Sequence, residues 1–148
     1  MRVTGRIVAV VMMLIAIISC GSNEHSVDMH DSDVRGWSGV EEFVYDNSDT
    51  LSPHAISIVL RYCNQEVSDS LALRIMAVSP DSLVVEEPFT LYIPRLGELR
   101  PAEHSFTYRS NVIFSKMGKY RFRLTPESEY RGIGSVGVMI GKESNESE

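Results

Sequence analysis

The residues of this 148-residue chain that could do chemistry by type and spacing are its two cysteines, its four histidines and one glycine-spaced segment near the C-terminus. Cys20 follows Ser19 at the end of an uninterrupted apolar run, residues 7–18, and Arg2 and Arg6 precede that run. A small residue directly before a cysteine, behind a positive region and an apolar segment of signal-peptide length, is similar to a lipobox, with Ile17 and Ile18 in its first positions. In that reading Cys20 takes a diacylglycerol on its thiol, residues 1–19 are cut away as a signal peptide, and the freed amine is acylated. The plainer alternative is an incidental cysteine in an ordinary secretory signal. The run is too short to span a bilayer, which takes about 20 apolar residues. Each buried methylene of a lipid chain contributes about 0.8 kcal/mol, so two or three chains hold a protein durably on a membrane.

The other candidates read as structure. Gly132-Ile133-Gly134-Ser135-Val136-Gly137 spells GxGxxG, which cradles a pyrophosphate only where a strand leads through it into a helix. Eleven residues follow Gly137, too few for a crossover helix and a ribose-binding acid, so the glycines are predicted to form a turn or bulge into a last strand. Ser135 has no base partner in the sequence. His25 and His30 lie among Glu24, Asp28, Asp31 and Asp33, but their spacing fits neither a zinc site nor an EF-hand loop, which leaves a solvated segment. His54 and His104 stand alone near strand starts and are predicted at the surface. With Cys20 lipidated, Cys63 has no disulfide partner, and its apolar run predicts a buried, inert thiol. No HExxH, GxSxG, P-loop or paired-cysteine motif is present. The sequence therefore points to no catalytic, cofactor-binding or metal site, and to a protein that is not an enzyme.

Charge narrows the partners. Removing Arg2 and Arg6 from the 14 basic residues leaves 12 against 20 acidic, a net charge of −8 for the mature chain. Such a balance repels nucleic acid.

Three segments position these residues. From 20 to 36 the chain is small, polar and acidic, with little to bury, and is predicted to be a flexible tether carrying the lipidated Cys20. From 37 to 142 short runs of Val, Ile, Leu, Phe and Tyr alternate with polar residues between turn formers, and residues 143–148 form a polar tail. Ile56, Ile58, Leu60 and Tyr62 fall on one face with Ser57 and Arg61 on the other, and Val59 is the apolar exception. Leu71, Leu73 and Ile75 repeat the pattern, and the short polar link 64–69 predicts that these two runs form an antiparallel hairpin. Further strands are predicted at 40–45, around Phe89, Leu91 and Ile93, at Phe106 and Tyr108, at Val112 and Phe114, from Gly118 to Leu124, and from Val136 to Gly141. About seven or eight strands with no helical period predict a single antiparallel β-sandwich, immunoglobulin-like or jelly-roll-like. Gly118-Lys119-Tyr120 fits a tyrosine corner, whose phenol bonds back to backbone, and equally a plain core tyrosine.

Outward positions offer further possibilities. Arg61, Arg74, Lys119, Arg121 and Arg123 would make a basic patch for an acidic partner or lipid headgroup if they share a face, and ordinary strand charges if they do not. Trp37, Tyr92 and Tyr108 could stack on sugars. Asp49-Thr50-Leu51, Asp69-Ser70-Leu71 and Asp81-Ser82-Leu83 look like the tripeptide that Bacteroidetes glycosylate on exported proteins.

The order of features is itself informative: lipobox, polar tether, Trp37, a strand around Phe43, Ile58-Val59-Leu60-Arg61-Tyr62, then Gly118, Tyr120 and Phe122, then Gly132, Ile133, Val136, Gly137 and Ile140. It resembles the GldH gliding-motility lipoproteins of the Bacteroidetes, and departs from them at 94–101 and at Tyr130-Arg131. The resemblance implies a non-enzymatic lipoprotein, lipid-anchored in the cell envelope at the outer membrane, needed for gliding and linked to secretion and motility machinery. The other function open to such a chain is a surface-exposed sandwich that binds glycan or another ligand.

Overall fold

Period-two alternation produces eight strands in the computed structural model, which describes residues 25–95 and 101–143. They are β1 (His25–Asp31), β2 (Glu41–Asn47), β3 (His54–Cys63), β4 (Ser70–Val78), β5 (Val84–Tyr92), β6 (Pro101–Val112), β7 (Gly118–Pro126) and β8 (Ile133–Lys142). Cys20, the signal segment 1–19 and residues 144–148 lie outside the described residues.

Two four-stranded antiparallel sheets face each other, in the orders β1-β8-β3-β6 and β2-β7-β4-β5. The pairs β1·β8, β2·β7, β3·β6 and β4·β5 make one long antiparallel ribbon whose tip is the β4–β5 turn. Rolling that ribbon brings β3 against β8 and β4 against β7. The result is a jelly roll, one of the two sandwich types expected. Every connection except β4–β5 crosses between the sheets, which corrects the hairpin expected from the link 64–69: β3 and β4 belong to different sheets. The true hairpin turns at Ser79-Pro80-Asp81-Ser82, with the Ser82 amide donating to the Ser79 carbonyl at 2.9 Å and Ser82 at φ +66°. Proline after serine and a short polar residue in the left-handed region are the chemistry of such a turn.

The core fills from both inner faces. Leu60, Ile133 and Val136 from one sheet meet Leu71, Leu73, Ile75 and Leu124 from the other, all fully buried. Phe43 and Phe122 stand opposite each other across β2 and β7.

Residues 25–31, expected to belong to the flexible tether, instead form β1 along the whole of β8. Composition hid this strand because it buries little apolar surface. Its backbone pairs with β8, and its inward His30 stacks on Phe43 with ring centres 4.4 Å apart and bonds the Glu41 carboxylate at 2.8 Å. The glycines of β8 make this close pairing possible. A Cβ built on Gly137 would lie 2.6 Å from the Asp28 carbonyl oxygen and from Met29 Cγ. Gly134 sits in the bulge between Arg61↔Ser135 and Tyr62↔Ile133, and Gly132 takes φ +78°. The GxGxxG spacing thus serves the turn and bulge that the sequence predicted, and also a strand contact that it did not. Gly137→Val is expected to cost about 1–3 kcal/mol by overpacking, read by urea denaturation. Amide exchange should rise along β1 first, and unchanged protection of β1 would contradict the contact.

Candidate functional site

A jelly roll has two open flanks, and the one between edge strands β5 and β6 is bridged, among the described residues, by side chains only at Glu87, Phe89, Tyr108 and Arg109. A cleft of about 480 Å³ enters the sandwich there. Its floor is Ile56, Ala77, Tyr120 and Phe122, and its mouth carries Leu83, Val85 and Ile113, all three more than half exposed. That volume falls within the range of sites that hold a small ligand or an inserted side chain.

Ser79, Asp81, Ser115 and Lys116 are polar lining residues, and a connected polar group stands on the wall as well. The Tyr108 hydroxyl donates to the Glu87 carboxylate, and Arg109 Nη2 donates to both Glu87 oxygens at 2.5 and 2.6 Å. Consecutive strand residues ordinarily point to opposite faces. Here β6 carries an extra residue between its pairings with Ile56 and Ser57, and that bulge lets Tyr108 and Arg109 reach the same carboxylate. Asn111, at φ +55°, lies in a second irregularity of the same strand. The hydrogen bond from Tyr108, then those from Arg109, hold the Glu87 carboxyl below its ordinary value. Burial, and then the Glu87 acceptor, push the Tyr108 phenol up to about 12. With its oxygens occupied, Glu87 is a structural acceptor and a poor proton acceptor for chemistry.

This pairing fixes a pH window. Glu87, depressed in the fold, contributes stability that is present above its ordinary 4.5 and lost as pH falls through the folded value. Tyr108, raised in the fold, contributes below its ordinary 10.0 and loses that contribution as pH rises toward about 12. Glu87→Gln is therefore expected to flatten the acid limb of the stability profile in urea titrations and to make the alkaline limb only shallower, because burial of Tyr108 remains. An unchanged profile would mean that the pair does not form.

The other residues singled out by sequence are dispersed. Ser135 is buried and donates to Asp31 at 2.9 Å, while the neighbouring His30 is bonded to Glu41. Asp33 accepts from the Arg35 backbone, and His30 lies between Glu41 at 2.8 Å and Asp28 at 3.9 Å. No group of three or more His, Cys, Asp or Glu among the described residues is placed to hold a metal. His104 is exposed and stacks on Phe106 at 4.7 Å. His54, expected at the surface, is buried among Tyr45 and Phe114, and neither ring nitrogen has a hydrogen-bond partner. It starts a central strand, so β8 and β6 cover it from both sides. Cys63 is half-buried at the end of β3, more open than expected.

The five basic positions divide. Arg61 lies on the β3 sheet and pairs with Glu103 at 2.9 Å, whereas Arg74, Lys119, Arg121 and Arg123 project from β4 and β7 of the other sheet. Arg123 is tied to Glu42 at 2.6 Å, and Arg74 to Glu127 at 3.4 Å, so acids interrupt the patch. The three aromatic residues proposed for sugar stacking do not form a platform. Trp37 is buried and bridges to Tyr130, Tyr108 lines the cleft, and Tyr92 is exposed at the end of β5. Tyr120 accepts from the Lys116 amide at 3.2 Å, the backward bond of a tyrosine corner, while also packing in the core. Among the Asp-Ser/Thr-Leu tripeptides, 49–51 and 81–83 lie in loops, whereas Leu71 is fully buried and Asp69 is bound by Arg95 at 3.0 Å. Sequence reasoning missed the cleft, and the run Ser79-Pro80-Asp81-Ser82, which places β5 beside β4, was the available signal.

Fold and cleft together define a jelly-roll β-sandwich with one open flank. No protein-family model and no curated protein matches the chain. Solved structures to which the chain is similar include the VP2 subviral particle of infectious bursal disease virus, 11% identical with a TM-score of 0.40 over 82% of this chain and 34% of that one. Dimeric latent PorU from Porphyromonas gingivalis is 10% identical with a TM-score of 0.37, covering 83% of this chain and 13% of that one. A carbohydrate-binding module of the beta-sandwich superfamily is 8% identical with a TM-score of 0.29, covering 81% and 56%. The chain spans about a third of the length of the VP2 protein.

Proposed function

We propose that the protein is a non-enzymatic binding module, held at the outer membrane by lipid on Cys20, that serves an envelope motility and secretion machinery of the kind GldH lipoproteins belong to. The cleft between β5 and β6 receives an apolar group of a protein partner. The observation that carries this reading is the cleft itself: an apolar floor, exposed Leu83, Val85 and Ile113 at the mouth, and a saturated Glu87–Tyr108–Arg109 group that orients without reacting. The lipobox-like Ser19-Cys20 and the ordered resemblance through Gly118, Tyr120, Phe122 and Gly132 to Ile140 support the envelope assignment. Deletion in the native host is expected to abolish colony spreading and reduce secretion of cargo proteins, with wild type restoring both. Val85→Trp, which fills the cleft mouth from an exposed position, is expected not to restore them. Normal spreading and secretion in the deletion strain would remove the motility role.

A further inference from the structure

The antiparallel ribbon sends alternate strand ends to opposite poles of the sandwich. The start of β1, the end of β8 and the loops 48–53, 79–83 and 113–117 therefore share one pole. Each of those three loops exposes a large apolar side chain: Leu51 at 84%, Leu83 at 68% and Met117 at 67%, with Ile113 beside the last. All three lysines of the chain, Lys116, Lys119 and Lys142, are at this pole as well. Three of its acids have partners, Asp49 with Lys142 at 3.1 Å, Asp81 with Ser79, and Glu143 with the Asn111 amide at 2.9 Å, and Asp46 lies opposite Lys119 in the β2–β7 ladder.

Side-chain hydrogen bonds brace two of these loops. The Asp49 carboxylate accepts from the Leu51 and Ser52 amides, each at 3.0 Å. Asn47 Nδ2 donates to the Phe114 and Lys116 carbonyls at 3.1 and 3.0 Å. Apolar side chains on such loops are presented in place and lose little freedom when covered.

We propose that this pole docks on the surface of a lipid bilayer, inserting Leu51 and Met117 among the headgroups while the lysines stay at the interface. The inference rests on the anchored reading for its geometry. Five backbone steps separate Cys20 from His25, and extended chain covers at most about 18 Å in that distance. The opposite pole is a ten-residue strand away, about 33 Å, and lies beyond that reach. A bilayer is thus the surface that these loops meet first, and long lysine stems can lie along apolar surface with their charges in water.

The test uses the full mature chain carrying Cys20→Ser, so that the loops are read without lipid. It measures flotation with vesicles of equal parts phosphatidylethanolamine and phosphatidylglycerol. Leu51→Asp and Met117→Asp are each expected to lower vesicle binding about tenfold, the factor that one buried apolar side chain supplies. Neither residue lines the cleft. Val40→Asp, an exposed site at the opposite pole, is expected to leave binding unchanged. Absence of vesicle binding by the Cys20→Ser chain, or equal losses for all three aspartates, overturns the proposal. Lipidation is read separately by fractionating the native host, so either reading can fail alone.

Discussion

Replacing Cys20 with Ala is expected to move the protein from the membrane fraction to the soluble fraction of its host. The magnitude follows from the anchor. Each methylene transferred into the bilayer contributes about 0.8 kcal/mol, and two or three acyl chains sum to an attachment that does not dissociate on the time scale of fractionation. The braced loops around Leu51 and Met117 offer only a few apolar side chains, so without lipid they support weak, reversible contact at most. Carbonate washing separates the two states, leaving acylated protein in the pellet and the alanine variant in the supernatant. A variant that stays in the washed pellet would show that something other than Cys20 holds the protein.

The second large effect lies in the core. Phe43→Ala is expected to cost about 3–5 kcal/mol, the usual range for truncating a buried phenylalanine. That is a large share of the roughly 5–15 kcal/mol that holds a domain folded. Phe43 joins three strands: it faces Phe122 across β2 and β7 and carries the His30 ring of β1 at 4.4 Å. Its removal leaves a cavity bounded by both sheets, and the backbone pairing around it limits collapse. Urea denaturation of the purified chain reads the loss, and a change below about 1 kcal/mol would mean that β1 does not close over this part of the core.

Sequence exposed those parts of the fold that repeat with period two. The strand of Tyr120, Phe122 and Leu124 alternates with Lys119, Arg121 and Arg123 because its sheet has one dry and one wet face. Strand order left no such trace. The polar link 64–69 is as suitable for a crossing between sheets as for a hairpin, since both need a short, solvated turn. β1 was hidden for a different reason. It is an edge strand whose inward Ser26, Asp28 and His30 are polar, and hydrogen-bonded pairing with β8 rather than hydrophobicity places it. His54 misled because imidazole is ordinarily wet, while its position at the start of a central strand buries it. The cleft depends on where a rolled sheet fails to close and on a bulge that turns Tyr108 and Arg109 to one side, and neither property belongs to a local run of residues.

The cleft between β5 and β6 is the proposed place where a partner binds. Photocrosslinking in the native host tests it directly, with p-benzoylphenylalanine introduced in place of Val85 at the cleft mouth or of Glu103 on the outer side of β6. A discrete adduct with an envelope protein is expected from position 85 and none from position 103. Adducts from 103 alone, or from neither position in a strain that spreads normally, would contradict the assignment.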